Sequence, residues 1–480
     1  MPTAAKPGVE AWLPPALAIV AAVTAARLAL LAVNGTDLFV DEAQYWLWGQ
    51  SFAWGYYSKP PMIGWVIGLS TALGGDGTFW VRAPFPLFQG AAALVLAALA
   101  AQVAGARAAV WTAAAYVTLP MAAVGSLLAS TDSVMAPFFA VAILAHLRLC
   151  ETRAPGWAVA AGVATGLAIL SKYAGAYLVL GYALAAIWPD RRPGWRNAAL
   201  LALACAVLVA PNLWWNLQNG LATLQHTADN VGWVRQGAQQ GLNPAGLAEF
   251  VGAQFGVMGP GLFAAWLVAL ARGRRTPPAL RRLLPFSLPA FVIVCGQALA
   301  ERAYANWAAS AWLAGTVVAV GVLLARPRLL ALAVGVNAAV ALALPVLTVF
   351  PGLAVNGTPV LERYLGRRDL SLQILDAARA TGQGVIVADK RDVLADLFHT
   401  GRDSGLSIHA RPPTGRPMNH YEQAHPLPAG QGGTVLLVTA QPPVCDGAPV
   451  APAVRFDTAG GTYRRQAFAG YVIAANCLAR

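Results

Sequence analysis

The sequence predicts a polytopic α-helical membrane protein with a small C-terminal α/β domain. Three observations lead there. Of the 480 residues, 58% are hydrophobic and only 11% are charged, whereas in soluble proteins about a quarter are charged. Long Ala/Leu/Val runs fill the first three quarters of the chain, and ordinary mixed sequence follows Pro351. The arginines stand in short clusters between the apolar runs, which is how membrane topology is encoded. A net charge of +12 would point to nucleic acid in a soluble chain; distributed in this way it does not, and no nucleic-acid partner is expected. Residues 1–350 are therefore read as a membrane domain and residues 351–480 as an extracytoplasmic α/β domain.

About 20 apolar residues cross the hydrocarbon core as a helix, and shorter runs serve inside a bundle. Spans are predicted near residues 12–33, 87–105, 108–128, 133–149, 157–171, 174–189, 197–213, 246–271, 284–300, 304–325 and 329–350, about 11 transmembrane helices. The first is too long for a signal-peptide core and lacks a cleavage site before Asn34, so it is read as a retained helix. With the N-terminus in the cytoplasm, the inner connections hold 14 Lys and Arg, Lys6 among them, and the outer ones hold four: Lys59, Arg82, Arg235 and Arg302. Arg27 and Lys172 fall inside or at the edge of spans and are left out of the count. This positive-inside bias, with an odd number of spans, puts the C-terminal domain outside. Asp41, Glu42, Asp132, His226, Asp229 and Glu301 also fall in outer connections, so the chemistry is expected to face outward.

In the C-terminal domain, residues 384–388, 434–439 and 471–475 are strand-like and residues 389–398 helical. Cys445 and Cys477 lie there, in a compartment that permits a disulfide between them, while Cys150, Cys205 and Cys295 lie in or inside the membrane. The sequence has no internal repeat.

The longest outer connection of the membrane part, residues 34–86, is crowded. It holds Asp41-Glu42-Ala43-Gln44-Tyr45-Trp46-Leu47-Trp48, then Trp54-Gly55-Tyr56-Tyr57-Ser58-Lys59-Pro60-Pro61-Met62. Its aromatic and apolar residues suit short helices lying along the interface, with Asp41 at a helix start. Capping would explain a lone Asp at such a position. Two adjacent acids at the membrane surface, followed by a lysine held ahead of a rigid Pro60-Pro61 step, point beyond capping, although Lys59 also suits a snorkelling anchor. Arg82 reads equally as an orientation anchor or as a ligand of a phosphate. Asp132 precedes the fourth span, where capping and a substrate role have equal claim, and Glu301 and Asn306 precede a later span with the same two readings. Lys172, between two short spans, is hard to place against lipid and is expected to line a cavity near Tyr173. His226 has no second His or Cys at ligand spacing, so it is read as a surface residue and no metal site is expected.

The string DEAQYWLWGQSFAWGYYSKPPM at residues 41–62, followed by VRAPFPLF at residues 81–88, resembles the first periplasmic loop of a known family. That family contains protein O-mannosyltransferases and lipid A aminoarabinose transferases, the GT-C glycosyltransferases that use polyprenyl-phosphate sugars. Similar motifs continue through Ser130-Thr131-Asp132, residues 166–173, Pro211-Asn212-Leu213-Trp214-Trp215 with Asn219-Gly220, and residues 301–307. Together and in order they cover most of the membrane domain. The resemblance implies a GT-C fold and inverting transfer of a sugar from a polyprenyl-phosphate donor to an envelope acceptor, whether lipid, glycan or protein, at the outer face of the bacterial inner membrane. It implies Asp41 as catalytic base, with Glu42 as the second acid of the pair, and Lys59 on the donor phosphate with Arg82 as a further cation. Tyr57, Asp132, Lys172, Tyr173, Glu301 and Asn306 are implied around the substrates. Many relatives have His at the Lys59 position, and the motif at Arg82 usually continues Pro-Ser where this chain has Pro84-Phe85-Pro86.

The chemistry agrees with those roles. Displacing a phosphate from an anomeric carbon needs a general base on the acceptor hydroxyl and cations on the departing phosphate. With Lys59 and Arg82 available, no metal and no other cofactor is expected. The partners are the lipid-linked donor, the acceptor and membrane lipids. A transporter is the competing class, but transporters commonly show repeated halves and ionisable groups at the midplane, and here the acids keep to the outer surface. A non-catalytic flippase or lipid-binding protein would retain the fold without needing Asp41. Reporter fusions after Arg153, Arg192 and Arg275 are expected to report cytoplasm, and fusions after Gln236 and Pro351 the outside; a cytoplasmic C-terminal domain would overturn the orientation and the outward-facing chemistry.

Overall fold

The computed structural model describes residues 11–230 and 241–478; Lys6, Arg235 and Gln236 of the topology reading lie outside the described residues. The chain forms two compact units, one of Met1–Ala32, Ala53–Val66 and Arg82–Pro345, the other of Val33–Phe52, Ile67–Val81 and Val346–Arg480.

Helices occupy every predicted span. Among the described residues, five are long and apolar enough to cross a membrane alone: Leu13–Ala32, Thr78–Ala104, Thr131–Thr152, Trp195–Gln218 and Pro327–Val349. Three bent pairs meet the same test together, Ala106–Val117 with Pro120–Leu127 (53°), Pro244–Val257 with Pro260–Arg275 (118°), and Pro278–Phe286 with Leu288–Ala300 (46°). Pro155–Ser171, Tyr173–Ala185 and Ala311–Leu323 are shorter, and Met62–Gly74 takes up the apolar stretch of the connection at residues 34–86. The predicted span at 246–271 is not straight. Pro260 offers no N–H to continue the helix, and Gly259 turns the chain at φ +85°, where an added Cβ would fall 1.8 Å from the Asn337 side chain; glycine alone fits both demands.

The helical core is built largely of alanine. Ala92, Ala93, Ala97 and Ala100 of the Pro84–Ala104 helix belong to one buried cluster with Ala108, Ala109 and Ala113 of Ala106–Val117. Lipid tails are as apolar as leucine, so helix association there depends on close approach and dispersion rather than on burial from water, and small side chains permit that approach. Phe263, Trp266, Phe291 and Trp312 form an aromatic centre with ring centroids 5.1–6.2 Å apart. Their indoles are satisfied: Trp266 Nε1 donates to Ser287 Oγ at 3.2 Å and Trp312 Nε1 to Gln254 Oε1 at 3.0 Å. Arg27, inside the first helix, is buried and donates to Ser126 Oγ at 3.0 Å and to the Val117 carbonyl at 2.5 Å. It thereby meets the negative end of the Ala106–Val117 helix, which is where a cation inside a bundle is best stabilised.

The second unit contains a five-stranded mixed sheet. Its strands are β1 (Val385–Ala388), β2 (Ser407–Ala410), β3 (Thr434–Thr439), β4 (Val454–Arg455) and β5 (Ala469–Ala474), in the order β2-β1-β3-β5-β4. β1 runs parallel to β2 and β3, while β5 runs antiparallel to β3 and β4. Val435, Leu436, Leu437 and Val438 are all buried, so the central strand is covered on both faces. The Arg367–Ala380 and Arg391–Thr400 helices belong to the same unit. Cys445 and Cys477 form a disulfide across 32 residues; a loop of that length contributes about 3–4 kcal/mol in the chain-entropy model.

This unit also holds part of the connection spanning residues 34–86. The Val40–Gly49 helix packs against Arg391–Thr400, with the Trp46 ring edge-on to His399 at 4.8 Å. Trp46 Nε1 donates to Asp76 Oδ1 at 2.7 Å, and Asp37 Oδ2 accepts from the Arg367 N–H at 2.8 Å, at the positive end of the Arg367–Ala380 helix. Burial pushes His399 down to about 4, against weaker opposing help from the Asp76 carbonyl, and burial likewise pushes His420 down to about 3. Both rings are held neutral in the folded protein but take up a proton near pH 6.5 when unfolded. The stability they contribute is therefore whole above about pH 6.5 and is lost as the pH falls towards 4. The melting temperature of the full protein should fall between pH 7.5 and 5, and fall less in His399→Gln; the same pH dependence in both proteins would place the titration elsewhere.

Candidate active site

The acid pair begins the Val40–Gly49 helix, and its two members have different surroundings. Glu42 is buried, and its Oε2 accepts from the Phe39 N–H at 2.8 Å. That bond satisfies one of the orphan donors of the helix start. Capping, the alternative reading of Asp41, is thus carried out by Glu42. Asp41 stays half-exposed, and its Oδ1 accepts from Arg391 Nη2 at 2.5 Å. Arg391 Nε donates to Gln44 Oε1 at 2.8 Å, and Asp41 and Gln44, three residues apart, share one helix face.

A second charged group lies in the helical unit. Ser130 caps the Thr131–Thr152 helix, its Oγ accepting from the Asp132 N–H at 3.2 Å, so the Asp132 carboxylate is not needed as a cap. It accepts instead from Lys172 Nζ at 2.7 and 2.8 Å, with Asn306 Nδ2 at 3.5 Å. Lys172 is extended (φ −157°, ψ 135°) at the break between two helices, and the break frees its side chain from the helical packing on either side. Next to it, the Tyr173 hydroxyl donates to Asn212 Oδ1 and accepts from Asn216 Nδ2, each at 3.1 Å.

The same asparagine ties down the segment that carries Lys59. Asn212 Nδ2 donates to the Trp54 carbonyl at 2.6 Å, and Thr223 Oγ1 to the Tyr56 carbonyl at 2.7 Å. Gly55 lets Trp215 approach: an added Cβ would fall 2.4 Å from its ring. Tyr57 is buried, its ring 5.1 Å from that of His226, which is therefore no isolated surface residue. The Lys59 carbonyl accepts from the Tyr56 N–H at 3.1 Å, a tight turn ahead of Pro60-Pro61, and Lys59 itself is half-buried. Arg82 ends the Thr78–Arg82 helix and is only 1% exposed, which does not suit a water-seeking orientation anchor. Glu301 closes the Leu288–Ala300 helix through its backbone, its N–H donating to the Gln297 carbonyl and its own carbonyl accepting from Asn243 Nδ2 at 2.9 Å.

Of the expected site residues, Asp132, Lys172 and Asn306 are brought together and Tyr173 stands beside Lys172 on the two asparagines, while the main chain of Glu301 bonds to Gln297 and Asn243. Asp41 belongs to one compact unit, while Lys59 and Arg82 belong to the other. Arg391, Gln44, Asn212 and Asn216 were not anticipated as partners. Asn212 and Asn216 had a signal, two amides four residues apart on an apolar helix; Arg391 had none, being 350 residues from Asp41.

A bundle of apolar helices with a mixed α/β unit, an acid pair at a helix start and charged pairs between helices matches the class that the sequence resemblance implies, a membrane-embedded glycosyltransferase of the GT-C fold. The fold is similar to two crystal structures of ArnT from Cupriavidus metallidurans. The apo form has a TM-score of 0.64 at 17% identity, covering 94% of this chain and 97% of that one. The form bound to undecaprenyl phosphate has a TM-score of 0.63 at 16% identity, covering 96% and 98%. Residues 58–215 match the family model described as dolichyl-phosphate-mannose-protein mannosyltransferase. The chain is also 40% identical over 472 residues to the lipid A galacturonosyltransferase RgtD of Rhizobium johnstonii, covering 96% of this chain and 98% of that protein. The chain belongs to this family of GT-C glycosyltransferases, and the transporter reading is set aside.

The Asp132–Lys172 pair is only 18% exposed on each side, so removing one partner strands the other charge. Asp132→Ala and Lys172→Met are each expected to destabilise the protein, and the double variant by less than the sum, with a coupling of about 1–3 kcal/mol in thermal or denaturant melts. Additive effects would show that the two charges do not depend on each other.

Proposed function

We propose that the chain transfers galacturonic acid from a polyprenyl-phosphate carrier to lipid A at the outer face of the bacterial inner membrane, with the C-terminal domain in the periplasm. The supporting observation is the 40% identity to a lipid A galacturonosyltransferase across 98% of that protein. Undecaprenyl phosphate, held by the similar ArnT structure, has the chemistry of the carrier.

The reaction is an inverting displacement. The acceptor oxygen bonds to the anomeric carbon as the bond from that carbon to the carrier phosphate breaks, and the acceptor proton passes to the Asp41 carboxylate. Lys59 and Arg82 meet the charge that gathers on the departing phosphate, which is the largest change in charge along the path. Asp132, Lys172 and Asn306, with Tyr57, Tyr173 and Glu301, supply donors and acceptors to the substrates. Glu42 holds the helix that presents Asp41.

Purified protein in nanodiscs, given undecaprenyl-phosphate galacturonic acid and lipid A, should yield a product heavier by one uronic acid, whereas mannose and aminoarabinose donors should turn over slowly. No galacturonic acid transfer alongside rapid use of another donor would refute the sugar assignment. Asp41→Asn is nearly isosteric but accepts no proton, so it should lose about a hundredfold to ten-thousandfold in turnover. Glu42→Gln retains a capping acceptor and should stay active. Lys59→Ala should lose most transfer and Lys59→Arg keep part of it. Wild-type turnover by folded Asp41→Asn would remove Asp41 as the base, and full activity in Lys59→Ala would reduce Lys59 to an anchor.

A further inference from the structure

Arg391 opens the Arg391–Thr400 helix and makes two directed bonds to the Val40–Gly49 helix, from Nη2 to Asp41 at 2.5 Å and from Nε to Gln44 at 2.8 Å. A planar guanidinium bonded at both points cannot rotate without breaking one of them. The Asp41 and Arg391 side chains are 45% and 37% exposed, and an ion pair so open to water contributes little to folding. The residues beside it, by contrast, are closely packed. Tyr421 is fully buried, and the His420 ring lies 5.7 Å from Trp48 and 5.5 Å from Tyr421. A rigid frame thus holds a bond of small stabilising value in one geometry, and the residue held is the acid assigned to the chemistry.

We propose that Arg391 is a positioning residue for glycosyl transfer: it holds the Asp41 carboxylate in the rotamer from which it takes the acceptor proton. This rests on Asp41 being the base. Orientation of a base by a third group is a general device of enzymes that activate a hydroxyl. During the step the proton moves from the acceptor hydroxyl to Asp41 and the negative charge leaves on the carrier phosphate. Arg391 remains protonated throughout, since a guanidinium does not give up its proton. The unit that contains the α/β sheet therefore supplies both the base and the group that orients it.

The test compares Arg391→Ala, Arg391→Lys, Gln44→Leu and Asp41→Asn in the full protein in nanodiscs, with undecaprenyl-phosphate galacturonic acid and lipid A as substrates. Arg391→Ala should lower kcat by about a hundredfold, as loss of orientation does, with KM for both substrates within about threefold of wild type. Added guanidinium should restore part of that rate, because the site is open to water. Arg391→Lys should fall between the two, since an ammonium reaches Asp41 without the second fixed bond, and Gln44→Leu should show a smaller loss in kcat. Wild-type kcat in Arg391→Ala beside an inactive Asp41→Asn would overturn the proposal and leave the base assignment standing. A loss in Arg391→Ala that tracks a lowered melting temperature, is shared by Arg391→Lys and ignores guanidinium would overturn it too. An active Asp41→Asn would sink the base assignment itself, independently of any Arg391 variant.

Discussion

An uncompensated charge or polar group in an apolar medium costs several kcal/mol, and that cost shapes this chain more than any other single factor. It keeps the charged fraction low, and it requires partners for the few charges that remain inside the bundle. Arg27 is accepted because it meets a hydroxyl and a helix carbonyl end. Asp132 and Lys172 are accepted because each neutralises the other. The alanine-rich packing follows from the same medium, since helices that gain nothing by leaving lipid must gain by touching closely. At two of its helix breaks, Gly259-Pro260 and Lys172-Tyr173, released backbone groups find partners: the Met258 carbonyl accepts from Asn337 Nδ2 at 3.1 Å and the Lys172 carbonyl from the Gly175 N–H at 2.8 Å.

The same constraint gives neighbouring residues different partners. Glu42 is buried and bonded to a backbone donor, an arrangement that stabilises a helix start. Asp41, one residue earlier, faces a cation and water. Ser130 in the same way takes over the cap of its helix and releases Asp132 to an ion pair. In both places a neighbouring residue does the local structural task and the adjacent carboxylate is left to bond elsewhere.

Much of this was legible in the sequence because membrane helices announce themselves by length and apolarity. The acid pair, the Lys-Pro-Pro step and the Asp132 and Lys172 positions were visible as polar exceptions in apolar surroundings, and three strands of the C-terminal sheet as apolar runs. The strands Ser407–Ala410 and Val454–Arg455 were not, being only four and two residues long, and the 118° break was hidden because its two arms are both apolar. The Asp41–Arg391 bond was illegible for a different reason. It joins residues 350 positions apart, and nothing in either local segment names the other.

That separation affects how the protein comes into being. The segment Val33–Phe52 belongs to the same compact unit as Val346–Arg480, which is synthesised after it. The strand Ala469–Ala474 occupies an interior place in the sheet, so the sheet is incomplete until that strand has been made. A chain that stops short retains its apolar helices but lacks the partner surface for the Val40–Gly49 helix. A chain halted before residue 391 would leave Asp41 and Gln44 without the guanidinium that bonds them both.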